Sequence, residues 1–296
     1  MSRDIESILV PTDGSAGARV GARRAIDLAA SIDASLHVLS VVDTRETESN
    51  HISPDQTERG RILEEKAEEA VETVATLAQA HLSGRITTAV ERGIPFRMIN
   101  EYVDVHDIDL VVMGTEGGSA IERVLLGSVA ETTLRTAAVP VVTVTPDADI
   151  IEVGDVTYED ILLPTDGSEG AELAFDWAIT LATLFDATIH TIYSVDTRRF
   201  GGPEEMGEIH EALEETGENA IETVRERARA ADLSVAGALG SGPAARTILS
   251  YSEEHDIDLV VMGTHGRTGL NRYLIGSVTE TVVRKAAVPV CSVPMQ

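Results

Sequence analysis

The sequence predicts an α/β protein of two tandem, doubly wound domains, each built on a parallel sheet, and three observations predict it. The 296 residues allow two domains of about 150 residues, each able to bury a core of its own. The chain repeats itself once at that spacing. ILVPTDGSAGA from Ile8 answers ILLPTDGSEGA from Ile161, HDIDLVVMGT occurs identically at His106 and His255, and LGSVAETTLRTAAVPV from Leu126 answers IGSVTETVVRKAAVPV from Ile275. A single repeat of this length means a duplicated domain rather than a solenoid. Within each copy, β-branched runs alternate with longer acidic amphipathic stretches, the pattern of parallel βαβ units with helices on both faces.

In the first copy strands are expected near 6–11, 35–42, 86–91, 108–113 and 139–144, with helices near 16–32, 57–82, 95–105 and 127–137. The second copy places strands near 159–164, 187–195, 233–238, 257–262 and 289–293. His37 and His190 fall in the second strand of each copy. The acidic runs 58–80 and 204–227 read as solvated helix faces. Gly93 with Pro95, and Gly242 with Pro243, mark the turn after the third strand, where proline suits a helix start. His106 and His255 fall at the end of the third helix, where a cation suits the dipole. DLVVMG is nearly all apolar, as a strand covered on both sides should be. Cys291 matches Val142 in the last strand and reads as a buried small hydrophobe. The first domain is expected over residues 1–147, a connector over 148–157 and the second domain over 158–296.

Composition excludes several classes. Fifty acidic residues against 23 basic ones give a net charge of −27, which repels nucleic acid and anionic membranes. The longest apolar runs, about five to six residues, are too short to span a bilayer. No charged-then-apolar leader opens the chain, and the single cysteine fits a reducing interior, so a cytoplasmic location is expected. Acid spread along whole helices, with only Lys66 and Lys285 as lysines, resembles the composition of halophilic proteins. No His/Cys/Asp cluster shows the spacing of metal ligands.

In doubly wound sheets ligands bind beyond the carboxyl ends of the strands. Two loops are placed for this: PTDGS after the first strand and a glycine loop after the fourth. A phosphate needs backbone N–H groups to approach closely, which glycines permit, sometimes through positive φ. Gly263 and Gly266 would shape the turn leaving the strand. Gly276 and Ser277 would open the next helix, with Ser277 capping it and also donating to phosphate. Gly114, Gly117, Gly127 and Ser128 repeat the spacing Gly-x2-Gly-x9-Gly-Ser in the first copy.

With PTDGS, this glycine spacing and AAVPV before the last strand in both halves, the chain resembles a tandem universal stress protein. The resemblance implies an open parallel sheet of five strands in the order 3-2-1-4-5, of the Rossmann-like, adenine nucleotide alpha hydrolase-like type. It also implies ATP or another adenine nucleotide as ligand. On it, Asp13 and Asp166 would hold adenine or ribose, Val41 and Ser194 would meet adenine through their backbones, and Pro11 and Pro164 would lie near the ribose. The glycines and serines would hold phosphate, with Thr12, Thr165, Val129 and Val278 in the same loops. Asp166 is also read as an Asx turn or helix cap within TDGS, a role that does not exclude the first.

The copies differ in charge. The second glycine loop offers His265, Arg267 and Arg272, where the first has Glu116, Gly118 and Arg123. Tighter nucleotide binding is therefore expected in the second half, by an electrostatic difference on the order of 1–4 kcal/mol before desolvation. The function expected is a nucleotide-binding stress or signalling protein with little or no turnover, because no P-loop lysine and no kinase signature set is present. Slow hydrolysis is permitted by the resemblance, although the sequence names no catalytic residue. Two alternatives stay open: a nucleotide hydrolase or adenylyl-transferase using Asp166 or His265 with magnesium, and an interaction scaffold with vestigial sites. The family resemblance further suggests that VPVVTV and VPVCSV pair within one chain as a pseudo-dimer, with a homodimer of chains left open. The segments 43–57 and 196–207 are candidates for flaps.

Overall fold

The computed structural model describes residues 5–46, 54–115, 126–146, 153–154, 157–197, 206–266 and 275–295. Two compact units divide the chain, one over Ile5–Val156 and one over Thr157–Gln296. The first runs β1 (Ser7–Pro11), α1 (Ala16–Ile32), β2 (Ser35–Asp43), α2 (Pro54–Gln79), β3 (Ile86–Gly93), α3 (Pro95–Val105), β4 (Leu110–Gly114), α4 (Ser128–Thr136) and β5 (Val141–Val144). The second repeats it as β6 (Asp160–Pro164), α5 (Glu169–Phe185), β7 (Thr188–Val195), α6 (Met206–Arg229), β8 (Val235–Ser241), α7 (Ala244–Glu254), β9 (Leu259–Gly263), α8 (Ser277–Lys285) and β10 (Val290–Val293). Strand order is β3-β2-β1-β4-β5 in the first unit and β8-β7-β6-β9-β10 in the second, and neighbouring strands within each unit are parallel. The doubly wound fold and the order 3-2-1-4-5 are thus as expected.

The fourth strand of each copy starts later than its apolar run. Asp107 and Asp256 take left-handed backbone, φ 49° and 48°, which ends the preceding helix turn. Two residues on, Asp109 accepts from the N–H groups of Glu6 and Ser7 at 2.9 and 3.0 Å, and Asp258 does the same for Glu159 and Asp160 at 2.8 and 2.9 Å. These aspartates close the amino ends of the strands instead of extending them. The central strands are sealed on both faces, with Ile8, Leu9, Leu110, Val111, Ile161, Leu162 and Val260 fully buried. Cys291 is buried in β10, and burial pushes its thiol up to about 12, so it is a packing residue rather than a nucleophile. Of the expected flap segments, the short turn Thr44–Glu46 and the starts of α2 and α6 are described, and the remainder lies mostly outside the described residues.

Four of the histidines, His37, His106, His190 and His255, sit toward the amino end of the sheet. His37 Nδ1 lies 3.1 Å from the Tyr102 hydroxyl, and the Tyr102 ring stacks at 4.0 Å on His106. The second unit repeats this with His190, Tyr251 and His255, but there Asp160 adds a carboxylate oxygen 2.8 Å from His190 Nε2. Ser7 stands at the matching place in the first unit, and its hydroxyl donates to Asp107 and Asp109 instead. Burial, then the neighbouring His106 and Arg85, hold the pKa of His37 below its ordinary value. A histidine with a depressed folded pKa contributes stability that is present above its unfolded pKa, about 6.5, and is lost as pH falls below it. The first unit should therefore weaken as pH falls through about 6.5, and His37→Gln should flatten that slope in urea unfolding followed by circular dichroism. An unchanged slope in the variant would remove His37 as the cause.

Candidate functional site

The PTDGS turn is a compact hydrogen-bonded loop at the carboxyl end of the first strand. In the second unit the Thr165 N–H donates to Ile192 at 3.0 Å, the Thr165 hydroxyl accepts from Gly167 at 3.2 Å, and Asp166 Oδ1 accepts from Ser168 at 3.0 Å. Ser168 then caps α5 by accepting from Ala171. Gly167, at φ 72°, makes the left-handed step that lets the chain turn from strand to helix. The first unit repeats each bond with Thr12, Asp13, Gly14 and Ser15, so the Asx-turn role of both aspartates is seen directly. It leaves Asp166 Oδ2 pointing at the glycine loop.

The two loops meet. A Cβ placed on Gly266 would lie 2.6 Å from Asp166 Oδ2, and one on Gly263 would lie 2.5 Å from the Gly170 carbonyl oxygen. A Cβ on Gly170 would in turn collide with the His265 carbonyl oxygen. The start of α5 therefore rests on bare backbone at the exit of β9. The first unit builds the same approach from Gly114 and Gly17. Among the described loop glycines none has positive φ. Gly114 and Gly263 serve close backbone packing, and the glycines of these two loops with positive φ are Gly14 and Gly167 of the PTDGS turn.

The far wall is the start of α8. Gly276, not Ser277, is the N-cap, with φ −60° and ψ 141° and no side-chain cap bond, and Gly127 takes that place before α4. The expected capping by Ser277 is thus overturned, because Ser277, like Ser128 in the first unit, is already the first helical residue. The Gly276 N–H donates to Thr264 at 2.8 Å, which anchors the helix start to the strand exit. The first bond inside the helix runs from Glu280 to Gly276, so the N–H groups of Ser277, Val278 and Thr279 have no partner among the described residues. Such groups, at the positive end of the helix dipole, favour an anion. Glu280, in the same turn, is paired with Arg284 at 2.7 Å.

Of the remaining site residues, Pro11, Thr12, Pro164 and Thr165 lie at or just after the ends of β1 and β6. Val41 and Ser194 lie near the carboxyl ends of β2 and β7, and the Ser194 hydroxyl donates to Gly242 at 2.6 Å. Ser128 and Val129 open α4 as Ser277 and Val278 open α8. Gly117 and Arg267 lie outside the described residues, as do Glu116, Gly118, Arg123 and Arg272. His265 is 8% exposed, with its Nδ1 3.0 Å from the Thr264 hydroxyl. Sequence reasoning overlooked Thr279, whose hydroxyl donates to Gly263 at 2.8 Å and ties α8 to β9. The matching residue is Ala130, so comparing the halves position by position would have found it. It also overlooked Glu169 and Glu172 in the first turn of α5, where the first unit has Ala16 and Arg19. Among the described residues no group of His, Cys, Asp or Glu could hold a metal ion, and no helix is long and apolar enough to cross a membrane.

Two parallel α/β units, each with a tight turn after the first strand and a later helix start without a side-chain cap, define a tandem doubly wound α/β protein. The sequence profile of the universal stress protein family matches residues 5–145 and 157–294, and the chain belongs to that family. A universal stress protein of Methanocaldococcus jannaschii is 39% identical over 144 residues, covering 48% of this chain and 85% of the relative. The crystal structure of a universal stress protein from Archaeoglobus fulgidus matches 98% of this chain and 97% of its own, with a TM-score of 0.73 and 22% identity, which speaks to the fold. A further universal stress protein, solved in complex with cAMP, is 25% identical and covers 49% of this chain and 99% of its own, with a TM-score of 0.39.

Proposed function

We propose that the protein binds an adenine nucleotide, ATP first among them, in the crevice between the PTDGS loop and the glycine loop, and acts as a stress or signalling protein with little or no turnover. The observation that carries this reading is the meeting of Asp166 with the Gly266 backbone beside three N–H groups of α8 that have no partner among the described residues. A carboxylate is a poor neighbour for phosphate but a good acceptor for a ribose hydroxyl or an adenine amino group. The N–H groups of Ser277, Val278 and Thr279 suit the phosphates, and the Ser277 hydroxyl, not engaged as a cap, is available to donate as well. Asp13, Ser128 and Val129 would play the same parts in the first unit. The backbones of Val41 and Ser194 are assigned to the adenine.

The second unit is proposed as the tighter site. The Thr279 hydroxyl holds its helix start in place, and the contrary charges of Glu169 and Glu172 are exposed and screened by salt. The test is to purify the protein in molar salt without added nucleotide, denature it by heat, and identify any adenine compound by chromatography and mass. About one nucleotide per chain, lost with Gly276→Leu and kept with Gly127→Leu, is the expected result. Two per chain with equal losses would sink the asymmetry, and no retained or titratable nucleotide would sink the reading itself.

A further inference from the structure

The second unit also carries an open groove between β8 and α7, with a volume of about 650 Å³, within the range usual for ligand sites. Its lining includes Ala238, Gly240, Ser241, Arg246, Thr247 and Ser250, and none of Asp166, Gly263 and Gly276 of the crevice. The helical wall follows one stripe of α7 from Pro243 through Thr247 and Tyr251 to Glu254, which makes the groove about 16 Å long at a helix rise of 1.5 Å per residue.

Matching the two halves pairs Gly240 with Glu91, Ser241 with Arg92, Thr247 with Met98 and Ser250 with Glu101. The larger residue of each pair belongs to the first unit, while the flanking helices α3 and α7 are both 11 residues long. In the first unit Met98 folds over the turn, so that a Cβ on Gly93 would lie 2.7 Å from its sulfur; on the matching Gly242 a Cβ would meet nothing within 4 Å. Side-chain volume, taken out residue by residue, opens the groove. Gly240 is itself required, because a Cβ there would collide with the Thr247 methyl group.

The same replacements uncover a strand edge. β3 ends its unit's strand order and carries Glu91 and Arg92, the latter paired with Glu64, and charges on an edge strand discourage further pairing. β8 ends the strand order of the second unit and reads VAGALGS, with no charge at all. The Gly242 N–H donates to Val195 and the Ser234 carbonyl accepts from Ile189, so by alternation the peptide groups of Leu239 and Ser241 face away from β7. Among the described residues no strand pairs with that side. Arg246 lines the end of the groove next to this turn, with no ion-pair partner among the described residues, and Glu254 lines the other end.

We propose that this groove binds an extended peptide of about five residues ending in a free carboxylate, laid parallel to β8 as an added strand. Its amide groups pair with the Leu239 N–H and carbonyl and with the Ser241 N–H, the Ser241 carbonyl already accepting from the Thr247 hydroxyl at 3.5 Å. The terminal carboxylate meets Arg246, with the Ser241 hydroxyl beside it, and a basic residue toward the amino end faces Glu254. A long, narrow, hydroxyl-lined groove with opposite charges at its ends fits a peptide better than a compact ring, which would leave the strand edge unused.

The test is anisotropy on the full chain with an array of pentapeptides, each made with a free and with an amidated carboxyl terminus. The free acids should bind at least about tenfold more tightly than the amides, the scale of one charge-assisted contact, and Arg246→Gln should erase that difference. Thr247→Met combined with Ser250→Glu, which restores side chains the sister unit accommodates, should lose binding by about tenfold or more while nucleotide content stays unchanged. The proposal fails if no peptide binds below about 1 mM, if acids and amides bind alike, or if the filled variant binds as well. Displacement by hexanoate as effective as by peptide would reassign the groove to small acids. A wild-type dimer dissolved by the filled variant would reassign it to a second copy of the chain.

Discussion

Replacing Gly263 by alanine should destabilise the second unit by about 3 kcal/mol, the upper range for forcing extra volume into a packed interior. The added methyl group would stand 2.5 Å from the Gly170 carbonyl oxygen and 2.7 Å from its carbon. Both atoms are backbone at the start of α5, so no rotamer change relieves the overlap and the helix itself must move. Alanine's better conformational entropy, worth less than about 1 kcal/mol, cannot offset this. Trp177 is the only tryptophan of the chain and lies buried in α5, so its fluorescence in a urea titration follows this unit. A midpoint within error of the wild type would show that α5 slides away cheaply.

Gly266→Leu should leave folding nearly unchanged and remove most nucleotide binding from the second unit. The new Cβ would meet Asp166 Oδ2 at 2.6 Å, and among the described residues the nearest other atom is the Cγ of the same partly exposed side chain, at 3.7 Å. Turning the carboxylate aside gives up its Asx-turn bond to Ser168, so the cost to folding is about 1 kcal/mol. The crevice is then filled, and the acceptor proposed for ribose or adenine is displaced. A loss of about 2 kcal/mol or more, some thirtyfold in affinity, is expected in calorimetric titration with ATP. Unaltered affinity in a variant whose Trp177 unfolding curve matches the wild type would take Asp166 and Gly266 out of the site.

Much of this was legible because the chain carries two readings of each position. The repeated PTDGS and the doubled glycine spacing located both loops, and alternating β-branched and amphipathic runs located the strands and helices to within a few residues. What glycine spacing could not convey is which atom each glycine makes room for. Gly263 looks like part of a phosphate cradle, yet the atom that forbids its side chain is a carbonyl oxygen of α5, nearly a hundred residues earlier in the chain. Ser277 looked like a cap because serine favours that place, but Gly276 already had the extended backbone of a cap and its N–H already had a partner in Thr264. The charge difference around the glycine loops rests on His265, Arg267 and Arg272 against Glu116, Gly118 and Arg123; of these only His265 is described, and its imidazole is buried beside a threonine, a matter of packing that residue type does not reveal. The groove beside α7 was missed for a different reason: it is made by small residues, and small residues attract notice only when set against larger ones at matching places.

The approach of Gly170 to the exit of β9 has a consequence for energy as well as for shape. Asp166 faces Gly266 only while α5 rests on that strand, so a ligand spanning the crevice is bound by the folded unit and scarcely by the unfolded one. Occupancy and folding are then linked equilibria, and free ligand at a hundred times its dissociation constant adds about 2.7 kcal/mol to the unfolding free energy. On the proposed binding, the amount of ligand around the protein would thereby be converted into its resistance to heat, denaturant and protease.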